Sequence, residues 1–153
     1  MSKFGNENSI GKTPMNYKGT DIGFSEGVIL CSCAVGSRVT CVPTPIDTDD
    51  DHLCLVSDIK EFVDQALELG FYIDGSLMGG SAGMFDSEIC KSGLFVSMKS
   101  HSCDLNLIAS SDFAFVHRFR VATSVCKRLN LLNKQDRIAL FQAVLYGQGK
   151  IDE

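Results

Sequence analysis

Apolar residues recur along this chain with two periods, one typical of strands and one typical of helices. The run Gly27–Val35, rich in β-branched and small apolar residues, predicts a buried strand that ends at Gly36. A turn or short helix over residues 37–41 follows, and Asp49–Val56 predicts a second strand. The first part of the chain therefore predicts two strands joined by a short connection.

An amphipathic helix follows the second predicted strand. Asp58 is its predicted N-cap, Leu69 its end and Gly70 its C-cap. Its apolar stripe consists of Ile59, Phe62, Val63, Ala66, Leu67 and Leu69. Such a stripe requires a sheet face on which to pack.

The remainder of the chain predicts a hairpin and two more helices. Residues 71–92 are rich in glycine and predict strand fragments around a loop, and residues 93–109 predict the hairpin. Ser111 and Asn133 are the predicted N-caps of helices that end near residues 129 and 146. This order predicts a mixed α/β (α+β) domain, in which helices pack on one face of a small mixed sheet.

The length of 153 residues fits one domain. Residues 1–24 lack an apolar period, which predicts a loosely held arm before a single domain over residues 25–150. No apolar run approaches the roughly 20 residues that span a bilayer, and no secretory signal opens the chain. Seven cysteines, mostly in apolar segments, predict reduced thiols and a cytoplasmic protein without a membrane partner. The oligomeric state is left open.

The net charge of −5 is divided unevenly along the chain. Residues 1–89 carry 5 Lys or Arg against 14 Asp or Glu, whereas residues 90–150 carry 9 against 3. The first part is suited to cations and the second to phosphates. One predicted helix carries the basic residues Arg118, Arg120, Lys127 and Arg128. They form either a solvated face or, with Lys99, a contact to a triphosphate or an acceptor.

Four aspartates stand within five positions at the start of the second strand, namely Asp47, Asp49, Asp50 and Asp51. Side chains two residues apart leave a strand on the same face, so Asp49 and Asp51 point together and Asp50 points away. Two carboxylates on one face repel unless a cation lies between them, and Mg²⁺ prefers carboxylates, waters and substrate phosphates. We expect Asp49 and Asp51 to bind Mg²⁺ or Mn²⁺, with Asp47 as an alternative ligand.

Four further residues are candidates for the same site. Gly36 lets the backbone approach a ligand closely, and Ser37 offers a hydroxyl and an N–H to a phosphate. Arg38 is placed to clamp the same phosphates. Asp104, a lone charge at the start of an apolar strand, needs a partner and is the candidate third metal ligand. The alternatives are a solvated acidic turn, a hairpin residue at Asp104 and a turn residue at Ser37.

The candidate residues follow a pattern that resembles the signature of the nucleotidyltransferase superfamily. In that signature a Gly-Ser turn at a strand end is followed, after about a dozen residues, by Asp-x-Asp and later by a third carboxylate. This superfamily is typified by DNA polymerase β and the minimal nucleotidyltransferases. Gly36-Ser37, Asp49-Asp50-Asp51 and Asp104 stand at the motif positions. Residues 103–108 and 136–147 are similar to small, largely uncharacterised phage-encoded proteins assigned to this superfamily. Asp50 departs from the pattern, because the middle residue is usually hydrophobic.

The resemblance implies a minimal nucleotidyltransferase fold and Mg²⁺-dependent transfer of a nucleotidyl group from an NTP to an acceptor hydroxyl. The implied metal-binding and catalytic residues are Asp49, Asp51 and Asp104. The implied phosphate-binding residues are Gly36, Ser37 and Arg38. RNA, a protein or a small molecule fits equally well as acceptor. Two other functions stay open: an inactive protein of this fold that binds nucleotide or a host protein, and an acidic interaction protein without nucleotide chemistry.

Overall fold

A computed structural model describes residues 15–45, 48–73 and 95–146 of the chain. The strands are β1 (Asn16–Tyr17), β2 (Thr20–Asp21), β3 (Ile29–Val35), β4 (Asp50–Val56), β5 (Phe71–Ile73), β6 (Val96–Ser100) and β7 (Leu105–Ser110). The helices are α1 (Ser37–Thr40), α2 (Ile59–Glu68), α3 (Phe113–Leu129) and α4 (Lys134–Tyr146). The predicted mixed α+β class is confirmed.

Five strands form one mixed sheet in the order β3-β4-β7-β6-β5. Strands β3 and β4 are antiparallel, β4 and β7 are parallel, and β7, β6 and β5 are antiparallel. The register pairs Val35 with Asp51, and Asp51 in turn with Asn106. The end of β3 and the starts of β4 and β7 therefore meet at one end of the sheet. We call this end, marked by Val35, Asp50 and Leu105, the acidic end.

Helices cover both faces of the sheet. Cys54 of β4 belongs to a core with Phe62 of α2, whereas its neighbour Leu53 belongs to a second core with Phe119 of α3 and Phe141 of α4. The prediction that the helices pack on one face is therefore wrong. Successive side chains of a strand leave opposite faces, and β4 is apolar on both, so each face needs a cover.

The prediction of a loosely held arm over residues 1–24 is wrong for residues 15–24. Strands β1 and β2 form a short antiparallel hairpin on the domain. Met15 and Phe24, which flank this hairpin, are buried in the core beneath α2, where Phe24 stacks on Phe62 with ring centroids 5.2 Å apart. Two apolar anchors hold a segment that has no apolar period of its own.

The helix N-caps match the predictions at two of three positions. Asp58 accepts the amide of Glu61 at the start of α2, and Asn133 accepts amides at the start of α4. The N-cap of α3 is Asp112 rather than the predicted Ser111, because its carboxylate accepts the amide of Ala114 at 2.9 Å. A carboxylate caps an N-terminus and also complements the helix dipole.

The remaining segment predictions have mixed outcomes. The hairpin predicted over residues 93–109 is confirmed, because β6 and β7 pair antiparallel. The strand fragments predicted over residues 71–92 are met at Phe71–Ile73, and the rest of that segment lies outside the described residues. Within the described ranges, no helix is both long enough and apolar enough to cross a membrane.

Candidate functional site

The acidic end of the sheet gathers most residues that the sequence singled out. Strand β3 leads directly into Gly36, β4 begins with Asp50 and Asp51, and Asp104 directly precedes β7. The antiparallel pairing of β3 with β4 and the parallel pairing of β4 with β7 bring these three points together. The topology thus places the Gly-Ser turn beside the aspartates.

Gly36 packs directly against the side chain of Asp51. Its backbone has φ 81° and ψ −173°, a conformation that is essentially restricted to glycine. A β-carbon at this position would lie 3.0 Å from the Cβ and Cγ atoms of Asp51 and would overlap its Oδ2 atom. Both the backbone conformation and the close contact therefore require glycine at position 36, from which Ser37 begins α1.

Two residues that the sequence did not single out hold Asp51 in place. Asn106 Nδ2 donates to Asp51 Oδ1 at 2.9 Å, and Ser97 Oγ donates to Asn106 Oδ1 at 3.0 Å. Both Ser97 and Asn106 are buried. The signal in the sequence was an amide between the apolar residues Leu105 and Leu107, because a buried polar side chain needs a partner.

Asp51 carries a charge in an unfavourable place. The pKa of its carboxyl is raised to about 6, mainly by burial and also by the negative charges of Asp49 and Asp50. The hydrogen bond from Asn106 and the ammonium group of Lys99 act in the opposite direction. At neutral pH the negative charge of this carboxylate is therefore incompletely balanced by its surroundings, and a bound cation would balance it.

Asp49 lies on the same side of the sheet as Asp51 and forms an ion pair. Its Oδ2 atom is 2.9 Å from Lys99 Nζ. Lys99 is the register partner of Asn106, which bonds Asp51. A lysine and an amide from the β6-β7 hairpin thus hold the two carboxylates that strand parity grouped together.

Asp50 points to the opposite side, where it has partners of its own. Tyr17 donates a hydrogen bond to Asp50 Oδ2 at 2.7 Å, His52 Nε2 lies 3.3 Å from Oδ1, and Arg38 Nη1 lies 3.8 Å from Oδ2. Burial and the bond to Asp50 raise the pKa of Tyr17 to about 12. Asp50, which departs from the motif, therefore has partners from the N-terminal hairpin, from α1 and from β4 itself.

Arg38 and Asp104 face each other at the acidic end. Arg38 Nη2 donates to the carbonyl of Thr48 and lies 3.4 Å from Asp104 Oδ2. The side chain of Asp104 is 72% exposed, while its carbonyl accepts the amide of Asp50 at 2.9 Å. Arg38, expected to clamp phosphates, thus already pairs with Asp50 of β4 and with Asp104, the residue before β7.

The donor set fits one magnesium ion better than two. Among the described residues, no three His, Cys, Asp or Glu side chains are grouped so that they could hold a metal ion. Asp49 and Asp51 still offer two carboxylates on one face, and Mg²⁺ is usually bound through one or two carboxylates plus substrate phosphates. The expected third ligand, Asp104, is directed towards Arg38 instead. Asp47, the alternative ligand, lies outside the described residues.

Arg137 connects the C-terminal helices to the short helix after the Gly-Ser turn. Its Nη1 atom donates to the carbonyls of Leu131 and Leu132 at 3.0 and 2.8 Å and lies 3.3 Å from Cys41 Sγ. Cys41 is the C-cap of α1. No signal in the sequence indicated this link, because it joins segments that are far apart in the chain.

Comparison of the chain with protein-family models, with curated proteins and with solved structures gave no match. The nucleotidyltransferase resemblance therefore stays a prediction from the motif. The chemistry and geometry of the acidic end are the basis for assigning a function.

Proposed function

We propose that this protein is a Mg²⁺-dependent nucleotidyltransferase that binds an NTP at the acidic end and modifies an acceptor hydroxyl. The observation that carries the proposal is the direct packing of Gly36 on Asp51. This packing supports the proposal because it brings the Gly-Ser turn next to Asp51, although 15 positions separate Gly36 from Asp51 in sequence. The six described cysteines are free thiols, which suits the reducing cytoplasm as the place of action.

Each residue at the acidic end has a distinct part in this proposal. Gly36 and Ser37 contact the triphosphate through their backbone N–H groups and the Ser37 hydroxyl. Asp49 and Asp51 hold the cation, which when bound neutralises the triphosphate and polarises its phosphoryl oxygens. Arg38, which lies 3.8 Å from Asp50 and 3.4 Å from Asp104, stabilises the charge that moves onto the leaving group.

The proposed reaction conserves atoms and charge. The oxygen of the acceptor hydroxyl forms a bond to the α-phosphorus of the NTP, and the bond from that phosphorus to the bridging oxygen breaks. Pyrophosphate leaves, and the hydroxyl proton passes to a carboxylate. Asp104 is the carboxylate assigned to that proton, because its side chain is exposed at the acidic end where an acceptor can arrive.

A second function is favoured by one particular contact. Lys99 Nζ lies 2.9 Å from Asp49 Oδ2, so a side-chain ammonium already occupies the neighbourhood of the carboxylate pair. A lysine that permanently replaces the cation would leave a nucleotide-binding protein without transferase activity. This candidate binds NTP without Mg²⁺ and forms no pyrophosphate.

Thermal unfolding with each NTP, with and without Mg²⁺ or Mn²⁺, separates the two candidates. A ligand at 100 times its Kd stabilises the folded state by about 2.7 kcal/mol, which raises Tm by several degrees. We expect this rise only with NTP and metal together, and its loss in the variant Asp49→Asn/Asp51→Asn. Asp64→Asn, in an exposed carboxylate of α2, is the matched control.

Pyrophosphate release in the presence of candidate acceptors completes the test. Metal-dependent binding with release supports the transferase, and metal-independent binding without release supports the second candidate. Absence of any NTP-dependent rise in Tm overturns both and leaves the acidic interaction protein. An unchanged response in the double Asn variant shows that the site has been placed wrongly.

A further inference from the structure

One side of α3 carries a continuous exposed stripe. The spacing of these residues, at i, i+4, i+7, i+11, i+14 and i+15, keeps them on one side of a helix. The stripe residues are Phe113, His117, Arg120, Ser124, Lys127 and Arg128, all of them exposed. The stripe is about 22 Å long, since each helical residue adds about 1.5 Å.

Among the described residues, the cations of the stripe have no acidic partner. No acidic residue occurs between Asp112 and Asp136, although the whole chain has a net charge of −5. Within the part of the chain that the structure describes, no carboxylate forms an ion pair with Arg120, Lys127 or Arg128. These cations therefore face solvent, which in a protein of negative net charge indicates a polyanionic partner.

An exposed aromatic residue marks the beginning of the stripe. The side chain of Phe113 is 68% exposed and lies nearly parallel to the ring of His117, at 14° with centroids 6.1 Å apart. A large apolar ring in water offers a platform on which a base can stack. Cations combined with an open aromatic face suit a nucleic acid better than an acidic protein, which supplies charge without flat bases.

We propose that the α3 stripe binds a single-stranded nucleic acid. The cations contact successive phosphates, and Phe113 stacks on a base. A single strand is required, because bases paired inside a duplex are not open to a phenyl ring lying on a helix surface.

The position of the stripe relates this partner to the acidic end. Its Lys127–Arg128 end precedes the α3-α4 loop, which Arg137 ties to the C-cap of α1. Helix α1 in turn begins at Ser37 of the Gly-Ser turn. A strand on the stripe therefore extends towards the proposed NTP site, so the acceptor is a nucleic-acid hydroxyl. This identification of the acceptor rests on the proposed function, whereas binding to the stripe does not.

Fluorescence anisotropy with labelled oligo-dT, oligo-U and a DNA duplex of equal length tests the binding without NTP or metal. We expect the single strands to bind, with log K falling against log salt at a slope of about −2 to −3 for three or four phosphate contacts. Arg120→Ala/Lys127→Ala should weaken binding about tenfold or more. Lys18→Ala/Lys60→Ala, which removes two exposed lysines elsewhere, should leave it within about twofold.

Phe113→Ala and photocrosslinking give independent readouts. Phe113→Ala should weaken single-strand binding by about five- to a hundredfold, as loss of one stacked base predicts. Photocrosslinks from a bromouracil oligonucleotide to the wild-type protein should map to residues 113–128, which keeps the test valid if a variant misfolds.

Several results overturn the stripe proposal: no binding at low salt, equal binding of the duplex, equal loss in the Lys18/Lys60 variant, or crosslinks elsewhere. Binding to the stripe together with no NTP response in thermal unfolding refutes the proposed transferase but not the nucleic-acid surface. An NTP response with no nucleic-acid binding refutes the surface and leaves the transferase with another acceptor.

Discussion

The α-carbon of Gly36 determines how closely the Gly-Ser turn can approach Asp51. A side chain at position 36 would meet Asp51 atoms at 3.0 Å or less, and the backbone has positive φ. Gly27 also has positive φ, at 87°, but a β-carbon there would meet nothing within 4 Å. The two glycines therefore separate the cost of backbone conformation from the cost of the contact.

Gly36→Ala should lower the free energy of unfolding by about 2–4 kcal/mol, because backbone strain and a clash with Asp51 add. Gly27→Ala should cost only about 1–2 kcal/mol, from backbone strain alone. Urea unfolding of both variants measures the difference. Equal costs would show that the contact with Asp51 has no energetic consequence.

Asp51 makes the stability of the protein depend on pH in a defined direction. Its folded pKa of about 6 exceeds the ordinary value of 3.8, so the folded state holds the proton more tightly than the unfolded state. Below about pH 4 Asp51 is protonated in both states and does not destabilise the folded state. The free energy of unfolding then falls as pH rises from about 4 to about 6, because the unfolded state releases the proton first. Above that range the ionised carboxylate costs up to about 3 kcal/mol.

Asp51→Asn should therefore raise Tm at pH 7.5 and leave it nearly unchanged at pH 3.5, because an amide has no charge to desolvate. Thermal unfolding at both values measures this, with Asp64→Asn as the control. A similar gain at both pH values would contradict the burial of a charge at position 51. If Asp51→Asn raises Tm at pH 7.5 and also abolishes the metal-dependent rise with NTP, Asp51 is a residue that destabilises the fold but serves function.

Helix α3 connects the core to the exposed stripe, and its N-terminus depends on one carboxylate. Asp112 Oδ1 accepts the amides of Ala114 and Phe115, at 2.9 and 3.4 Å. Phe115, Phe119, Ala122 and Cys126 fill the buried side of the helix. The cap therefore fixes where the helix begins and, with it, which residues face solvent.

Asp112→Ala should destabilise the protein by about 1–2 kcal/mol, because two amides lose their acceptor and the helix dipole loses a negative charge. Ser111→Ala, at the position predicted from sequence, should change stability by less than about 0.5 kcal/mol. Chemical unfolding of the pair decides between the caps. If Ser111→Ala lowers the free energy of unfolding more than Asp112→Ala does, Ser111 is the N-cap of α3.

The hairpin β1-β2 makes residues 15–24 part of the folded unit. Phe24 lies against Phe62 and Phe71, with centroids 5.2 and 6.4 Å away, and Tyr17 bonds Asp50 at the acidic end. The hairpin therefore couples the core beneath α2 to the site. Removal of the Phe24 side chain should therefore lower the stability of the whole domain.

Phe24→Ala should lower the free energy of unfolding by about 3–4 kcal/mol, since a buried ring leaves a cavity. Phe113→Ala, at an exposed ring, should stay within about 0.5 kcal/mol. Denaturant unfolding of both variants is the measurement. If Phe24→Ala hardly changes the free energy of unfolding, residues 15–24 are a loosely held arm after all.

Much of the architecture followed from local sequence patterns. Alternation and helical periodicity gave β3, β4, the β6-β7 hairpin and the long helices within a few residues, because these signals depend on neighbours in the chain. Strand parity also separated Asp50 from Asp49 and Asp51. The N-cap of α3 differed by one residue, since Ser111 and Asp112 are both good caps and only packing selects between them.

Contacts between distant segments were not predictable from one sequence. Met15 and Phe24 are isolated apolar residues, so their burial leaves no periodic pattern in the sequence. Which helix packs on which face of the sheet depends on contacts between distant segments. The pairing of Asp51 with Asn106, of Asp49 with Lys99 and of Asp104 with Arg38 depends on strand register. Local patterns thus named the Gly-Ser turn and its aspartates. Register and packing, which act between residues far apart in the chain, determined the partner of each carboxylate.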